Sequence, residues 1–244
     1  MHLPDALLSL PEPSLLPSAL ADQGIWVTCR FDPSRLEATS FDDAGITLPE
    51  RLKRAAPKRQ TEYLAGRCCV REALRALGHS PATPFRLDNA EDRRPLWPQG
   101  VVGTLTHSPD LAGAWLAPAD QWQALGMDAE HIIPAPRAAR LQSAILTASE
   151  QTLLAGLDAE AFAHALTLVF SVKESLYKAL YPLTGTPFYF MDARLVSQDA
   201  KARTLTLELL KPLSRQWPAG RRLICHWQPC HHQIITFAAI PAGQ

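Results

Sequence analysis

The spacing of apolar residues changes several times along the chain, and each spacing predicts a class of secondary structure. Short apolar runs rich in β-branched and aromatic residues are typical of strands; they occur at 24–31, 101–108, 111–117, 124–132, 204–210, 223–227 and 233–240. Longer stretches with helical spacing predict helices at 48–77, 137–157 and 159–181. Pro57 predicts a break in the first helix and Gly78 predicts its end, whereas the first 23 residues form an irregular, proline-broken lead-in.

The order of these elements predicts an α+β fold in which the strands pair mainly antiparallel. The late strands follow one another too closely for the helical crossovers that parallel pairing needs. Each half of the chain contains a strand, helical sequence and then further strands, which is consistent with a duplicated architecture. Turn-forming residues at 117–122 indicate the boundary, so we expect an N-terminal half at 1–122 and a C-terminal half at 123–244.

The composition is that of a folded globular protein without a general attraction to polyanions. The 244 residues are 47% hydrophobic and 20% charged, which is sufficient for a sizeable core. Twenty-four basic and 24 acidic residues give a formal net charge of +0, which argues against a nucleic-acid-binding protein. Between residues 51 and 75, eight Lys or Arg accompany two Glu, a local excess of 8 − 2 = +6. This basic segment is either a solvated face or a local site for a polyanion.

The cysteines and the N-terminal segment predict a cytoplasmic location. The chain has five cysteines, and the neighbours Cys68 and Cys69 would not ordinarily bridge each other. The N-terminal segment lacks the basic region of a signal peptide and is interrupted by prolines, and no run of about 18 apolar residues occurs. We therefore expect a reduced, cytoplasmic protein that does not bind membranes.

A late group of potential zinc ligands comprises Cys225, His226, Cys230, His231 and His232. Zinc sites usually need a second pair of ligands with matching spacing, and the sequence contains none. A strand at 223–227 would also put Cys225 and His226 on opposite faces. We therefore do not interpret this group as a zinc site.

Two acidic residues stand two positions apart in a predicted strand, within Gly126-Met127-Asp128-Ala129-Glu130. Because side chains alternate along a strand, Asp128 and Glu130 share one face while Met127 and Ala129 occupy the other. Converging carboxylate oxygens suit Mg²⁺. The alternative is a solvated acidic strand end, which is the commoner meaning of so short a motif.

Two further candidates are a helical charge pair and a histidine at a strand end. In FSVKESLYK (170–178), helical counting puts Glu174 and Lys178 on the face opposite an apolar stripe. They are free for chemistry, or they form an exposed pair worth about 0.3–0.5 kcal/mol. His107 ends a predicted strand. A histidine in that position donates a hydrogen bond to a phosphate, acts as a base, or is a solvated surface group.

The order and spacing of these motifs resemble the 4′-phosphopantetheinyl transferases of the surfactin-synthetase-activating type. The resemblance covers residues 48–181 and rests on GRCCVREAL (66–74), RRPLWP (93–98), THS (106–108), GMDAE (126–130) and FSVKESLYK (170–178). Phe170 before Ser171, with the Gly-Arg pair of the basic helix, is most similar to the branch of enterobactin synthetase component D. The family usually has Ser where this chain has Thr106, and Ile or Val where it has Met127.

The resemblance implies a transfer reaction with coenzyme A as co-substrate. The phosphopantetheine arm moves to a serine of an apo acyl or peptidyl carrier protein, and adenosine 3′,5′-bisphosphate is released. The metal ligands implied for Mg²⁺ are Asp128, Glu130 and Glu174, and the catalytic residues are Glu174, Lys178 and His107. The coenzyme A contacts implied are Arg59, Arg67, Arg94, Thr106, His107, Lys173 and Lys178. It also implies a monomer of two similar, pseudo-twofold-related halves, each a mainly antiparallel sheet packed with helices, with the active site between them.

Two other functions are compatible with parts of the pattern. A Mg²⁺-dependent nucleotide pyrophosphate hydrolase would use the same acids to activate water, and it would need no carrier protein. A nucleic-acid-binding module would use the basic helix, but it leaves the acids unexplained and disagrees with the net charge.

Overall fold

A computed structural model describes residues 3–230 and 232–243. The chain divides into the units Met1–Trp122 and Gln123–Gln244, each with its own antiparallel sheet and its own hydrophobic core. The α+β fold class and the mainly antiparallel pairing predicted above are confirmed. None of the described helices is both long enough and apolar enough to cross a membrane.

The first unit contains a four-stranded sheet with one long helix packed on it. Its strands are β1 (Glu12–Ser14), β2 (Ile25–Arg30), β3 (Val101–His107) and β4 (Leu111–Pro118), in the spatial order β1-β2-β4-β3. A short helix α1 (Ser40–Ala44) precedes the long helix α2 (Pro57–Ala76), which packs on β2 and β4. The buried face of α2 includes Leu64, Val70 and Leu74.

Helix α2 begins later than the sequence pattern predicts. A single 3₁₀ turn at Glu50–Leu52 precedes it, and Pro57 is its first residue. Proline is favoured there because its missing N–H would have no partner within the helix. Pro57 therefore starts the helix instead of breaking it, while Gly78, with a φ of +86° just beyond the helix, ends it as predicted.

The second unit contains a five-stranded sheet covered by helices. Its strands are β5 (Trp122–His131), β6 (Ala193–Asp199), β7 (Thr204–Leu209), β8 (Arg222–Cys230) and β9 (Gln233–Pro241), in the order β5-β9-β8-β7-β6. The helices are α3 (Ala135–Ile145), α4 (Ala148–Leu153) and α5 (Ala159–Thr184). Helix α5 packs against β9 and α3, and its apolar stripe lies in the core.

The helix predicted at 137–157 is two helices, α3 and α4. The chain is extended at Leu146, and Thr147 begins α4 with a capping box: the Glu150 side chain accepts from the Thr147 amide at 2.7 Å. The spacing Thr-x-x-Glu is the sequence signature of this cap. The sequence pattern did not predict strand β6, because its residues do not form an apolar run. His231 lies outside the described residues, so the late Cys and His group is described only in part.

Candidate active site

Strand β5 and helix α5 bring the acids of the second unit together with a lysine. Met127 and Ala129 are fully buried, and Asp128 and Glu130 lie on the other face, as the strand period predicts. Lys178 donates hydrogen bonds from Nζ to Asp128 Oδ1 at 2.7 Å and to the Met127 carbonyl at 3.0 Å. Lys178 therefore binds the acidic strand and is not confined to a pair with Glu174.

Gly126 determines how closely α5 approaches β5. A Cβ atom at this position would collide with backbone atoms of Ser175 and Ala179. Any other residue would therefore push the helix away from the strand. Lys178 lies between these two contacts in sequence, so the close approach allows its Nζ to reach Asp128.

The carboxyl groups of this cluster repel one another. Burial and the neighbouring Asp128 carboxylate raise the pKa of Glu130 to about 7, with a smaller contribution from Glu174. Burial and Asp128 also raise the pKa of Glu174 above its ordinary value. The Lys178 ammonium opposes both shifts without cancelling them, so the cluster favours an additional positive charge.

The donor chemistry of the cluster fits Mg²⁺ as part of a site completed by substrate. Within residues 3–230 and 232–243, no group of three His, Cys, Asp or Glu side chains is arranged to hold a metal by itself. Mg²⁺ is commonly held by one or two carboxylates, waters and substrate phosphates, without an all-protein cage. Carboxylates that repel one another suit such a site, and the available donors are Asp128, Glu130 and Glu174.

The first unit contains a cleft of about 1140 Å³ with many charged side chains on its walls. Helix α2, the 3₁₀ turn before it, the segment 86–95 and the end of β3 form these walls. The arginines that line the cleft are Arg51, Arg59, Arg67, Arg86 and Arg93. Guanidinium groups gathered around one space are suited to bind phosphate groups.

Arg67 is held rigidly in the wall of this cleft. Its side chain is 6% exposed, its guanidinium carbon lies 4.4 Å from the centroid of the Tyr63 ring, and it donates a hydrogen bond to Asn89 Oδ1 at 3.0 Å. Burial lowers the pKa of Arg67 from its ordinary value, yet an arginine stays charged at neutral pH. A stacked, hydrogen-bonded guanidinium is well oriented for a phosphate oxygen.

The end of β3 brings Thr106 and His107 to the same cleft. The His107 side chain is 45% exposed, and Nε2 lies 3.2 Å from Arg59 Nη1. Its Nδ1 lies 3.8 Å from Oε1 of Glu62, whose Oε2 accepts a hydrogen bond from Arg59 Nη1 at 3.1 Å. Four of the residues predicted to contact coenzyme A therefore line this cleft, namely Arg59, Arg67, Thr106 and His107.

Comparison with known proteins identifies the family. The description "4′-phosphopantetheinyl transferase N-terminal domain" matches residues 48–117, and "4′-phosphopantetheinyl transferase superfamily" matches residues 124–234. The 4′-phosphopantetheinyl transferase Svp of Streptomyces mobaraensis is 37% identical over 211 residues, which cover 83% of this chain and 82% of Svp. The chain belongs to the 4′-phosphopantetheinyl transferase superfamily. The family predicted from the motifs is confirmed.

A further relative agrees with the predicted branch of this transferase. Enterobactin synthase component D of Escherichia coli O157:H7 is 37% identical over 214 residues, covering 84% of this chain and 93% of that protein. A solved holo-(acyl-carrier-protein) synthase from Bacillus anthracis matches with a TM-score of 0.36 and 14% identity, covering 50% of this chain and 99% of that one. The chain is a holo-carrier-protein synthase, and the hydrolase alternative is not supported.

Lys173 of this transferase does not present its charge to a ligand. It is 3% exposed, and Nζ donates to Glu150 Oε2 at 2.8 Å and to the carbonyls of Ile145 and Phe190, both at 2.9 Å. An ammonium group has three donors, and all three are used inside the protein. The expectation that Lys173 contacts coenzyme A is therefore corrected: the first lysine of the motif anchors α5.

The structure also redistributes the predicted basic contacts. Arg94 pairs with Asp92 at 3.1 Å and does not line the cleft, whereas its neighbour Arg93, with a φ of +70°, does. The contact of Arg94 with coenzyme A therefore stays a prediction, and Arg93 is a further candidate for it. Arg71 and Arg75 also lie outside the cleft lining; Arg71 is buried and donates to the Ala44 carbonyl, so only part of the local excess of +6 faces this space.

Sequence reasoning missed several residues that position the charged groups. Tyr63 and Asn89 orient Arg67, Glu150 holds Lys173, and Glu62 joins Arg59 to His107. The spacing Thr147-x-x-Glu150 is a signal for a helix start that the prediction of one helix at 137–157 did not use, and it gives no signal for an ion pair. The other partners lie too far away in sequence, or are too ordinary in type, to carry a signal.

The raised pKa of Glu130 predicts that the metal-free transferase loses stability as the pH rises. The folded carboxyl keeps its proton to about pH 7, while the unfolded one loses it near its ordinary value of 4.5. The folded state therefore binds more protons in this window, and its stability falls from about pH 4.5 to 7. Calorimetric Tm values at several pH values should show this decline, and a smaller one for Glu130→Gln. Equal declines for both proteins would contradict the assignment.

Proposed function

We propose that the enzyme catalyses Mg²⁺-dependent transfer with its acidic cluster and Lys178, and that the cleft of the first unit binds the 3′-phosphate of coenzyme A. The meeting of Asp128 and Lys178 beside Glu130 and Glu174 supports this proposal most directly. Phosphoryl transfer depends mainly on positioning and on neutralising phosphate charge. The cluster offers carboxylate oxygens for a hard cation and an ammonium for a departing phosphate.

In the proposed reaction a carrier serine oxygen bonds to the β-phosphorus of the pyrophosphate as the bridging P–O bond breaks. Mg²⁺, when bound by Asp128, Glu130 and Glu174, supplies positive charge to the phosphate oxygens. Glu174 accepts the serine proton, directly or through a water. Lys178 stabilises the charge of the departing adenosine 3′,5′-bisphosphate.

Intact-mass measurement on a panel of apo carrier proteins tests the proposed reaction. Acyl carriers and peptidyl carriers, including those of siderophore synthesis suggested by the enterobactin synthase relatives, would be incubated with coenzyme A. We expect a gain of the phosphopantetheine mass with Mg²⁺ and almost none with a chelator. Transfer at an equal rate in chelator would remove the metal from the proposal. The proposal also includes a monomer working in the cytoplasm, for which size-exclusion chromatography and fractionation are the measurements.

Lys178→Ala tests the role of the lysine in the acidic cluster. If Lys178 only pairs with Asp128, whose side chain is 7% exposed, its loss lowers stability and leaves kcat unchanged. Loss of a donor to the departing phosphate is expected to lower kcat on the order of 100-fold. Lys201→Ala, in an exposed turn of the same unit, is the control. A near-normal kcat at saturating substrates in Lys178→Ala would reduce the residue to a surface pair.

Arg67→Ala tests the assignment of the cleft. A hydrogen bond to a charged group is worth about 1.5–3 kcal/mol, so dephospho-coenzyme A should have a kcat/KM lower by about 10- to 150-fold. Arg67→Ala should lower kcat/KM for coenzyme A more than for dephospho-coenzyme A, so the preference for coenzyme A shrinks by the contribution of Arg67 while that of the neighbouring Arg59 and His107 remains. An equal reduction for both substrates would show that Arg67 does not contact the 3′-phosphate.

A further inference from the structure

Glu62 is a buried carboxylate in the wall of the cleft that the proposed reaction does not use. Its side chain is 8% exposed, and it lies on α2 one turn after Arg59. A carboxylate beside an anion site repels the phosphate and so opposes binding. Its presence in this wall therefore needs a compensating role.

The contacts of Glu62 indicate what this role is. Its two oxygens lie near two different side chains. Oε2 is 3.1 Å from Arg59 Nη1, and Oε1 is 3.8 Å from His107 Nδ1. Arg59 Nη1 is in turn 3.2 Å from His107 Nε2. One acid therefore adjoins both groups, although Glu62 and His107 are far apart in sequence.

These contacts determine where the imidazole proton lies when no phosphate is bound. A guanidinium only donates hydrogen bonds, so His107 Nε2 accepts from Arg59. The proton of the neutral ring is then on Nδ1, the nitrogen nearer to Glu62. If Nδ1 keeps its proton towards Glu62, the ring must gain a second proton before Nε2 can donate to a phosphate oxygen, and the nearby carboxylate of Glu62 stabilises the resulting imidazolium.

We propose that Glu62 is a positioning residue that orients Arg59 and His107 for a phosphate and stabilises protonated His107, so that phosphate binding takes up a proton. This rests on the proposed function, which assigns the cleft to the 3′-phosphate of coenzyme A. The other charged side chains on the cleft walls are Glu50, Arg51 and Arg67 on the helical side and Arg86, Asp88, Glu91 and Arg93 on the connecting segment. They set the background potential around the phosphate site, while the Glu62 carboxylate lies 3.8 Å from His107 Nδ1.

The first experiment compares coenzyme A with dephospho-coenzyme A for the wild type, Glu62→Gln and Glu72→Gln. Glu72 is a matched control because it pairs with Arg75 at the same three-residue spacing on the same helix, outside the cleft lining. For Glu62→Gln we expect kcat/KM for coenzyme A to fall about tenfold because KM rises. The kcat/KM for dephospho-coenzyme A should change less than about twofold. Glu62→Asp, which keeps the charge, should recover part of the loss.

The second experiment measures proton uptake when adenosine 3′,5′-bisphosphate binds. Calorimetry at pH 7.5 in two buffers of different ionisation enthalpy reports the protons exchanged. We expect net uptake for the wild type and less for Glu62→Gln. In parallel, the rise in KM for coenzyme A with pH should begin at a lower pH in Glu62→Gln, because the imidazolium has lost its carboxylate.

The outcomes separate failure of this inference from failure of the proposed function. A wild type that does not distinguish coenzyme A from dephospho-coenzyme A overturns the assignment of the cleft. The positioning role is wrong if the wild type distinguishes the two substrates but Glu62→Gln has the same kcat/KM values as Glu72→Gln. It is also wrong if Glu62→Gln lowers kcat/KM equally for both substrates. If Glu62→Gln does not fold, the wild-type calorimetry still decides, since absence of proton uptake overturns the inference.

Discussion

Asp128→Asn is expected to lower kcat/KM for carrier modification about 10³-fold while the protein stays folded. The amide keeps the size of the side chain but removes the negative charge of the carboxylate, whose Oδ1 accepts a hydrogen bond from Lys178 Nζ at 2.7 Å. It also removes one of the three carboxylates proposed to bind Mg²⁺. A metal that neutralises phosphate charge stabilises the transition state by several kcal/mol. About 4 kcal/mol corresponds to the stated loss in rate.

The measurement combines carrier modification with circular dichroism. Glu174→Gln is the parallel variant and should lose activity on a similar scale, because it removes the proposed base as well as a metal donor. Glu160→Gln is the control, since this exposed acid lies in the first turn of the same helix α5. Unimpaired turnover in Asp128→Asn would remove the acidic cluster from the mechanism.

Lys173→Met is expected to lower the free energy of unfolding by about 3–5 kcal/mol. The Lys173 and Glu150 side chains are 2% and 0% exposed, and removing one member of a buried ion pair leaves an uncompensated charge. Burial lowers the pKa of Lys173 and the Glu150 carboxylate opposes that shift, so each charge depends on the other. Glu150 also accepts from the Leu195 amide at 2.6 Å, which extends the effect to β6.

Denaturant unfolding measures this loss, with Lys201→Met as the exposed control. In a double-mutant cycle, Lys173→Met with Glu150→Gln should cost less than the sum of the single changes, because the two share one interaction. A loss below about 1 kcal/mol for Lys173→Met, together with a raised KM for coenzyme A, would restore the contact that the sequence suggested.

Local patterns were sufficient to predict most of the elements and the faces on which the acids and Lys178 lie. The period of two along β5 buries Met127 and Ala129 and turns Asp128 and Glu130 the other way, whatever lies beside the strand. The helical period does the same for the apolar stripe of α5, and hence for Glu174 and Lys178. The predicted helix break at Pro57 was wrong, because a proline in the first turn starts a helix and only an interior one breaks it.

Only the tertiary structure decided which charges face a ligand and which support the fold. Lys173 and Lys178 are similar in type and five residues apart, yet the carbonyls of Ile145 and Phe190 enclose one while the other reaches Asp128. Arg93 and Arg94 are neighbours, and the backbone turn at 93 selects the one that lines the cleft. Periodicity describes one element at a time, whereas the environment of a charge is set by groups that folding brings in from distant parts of the chain.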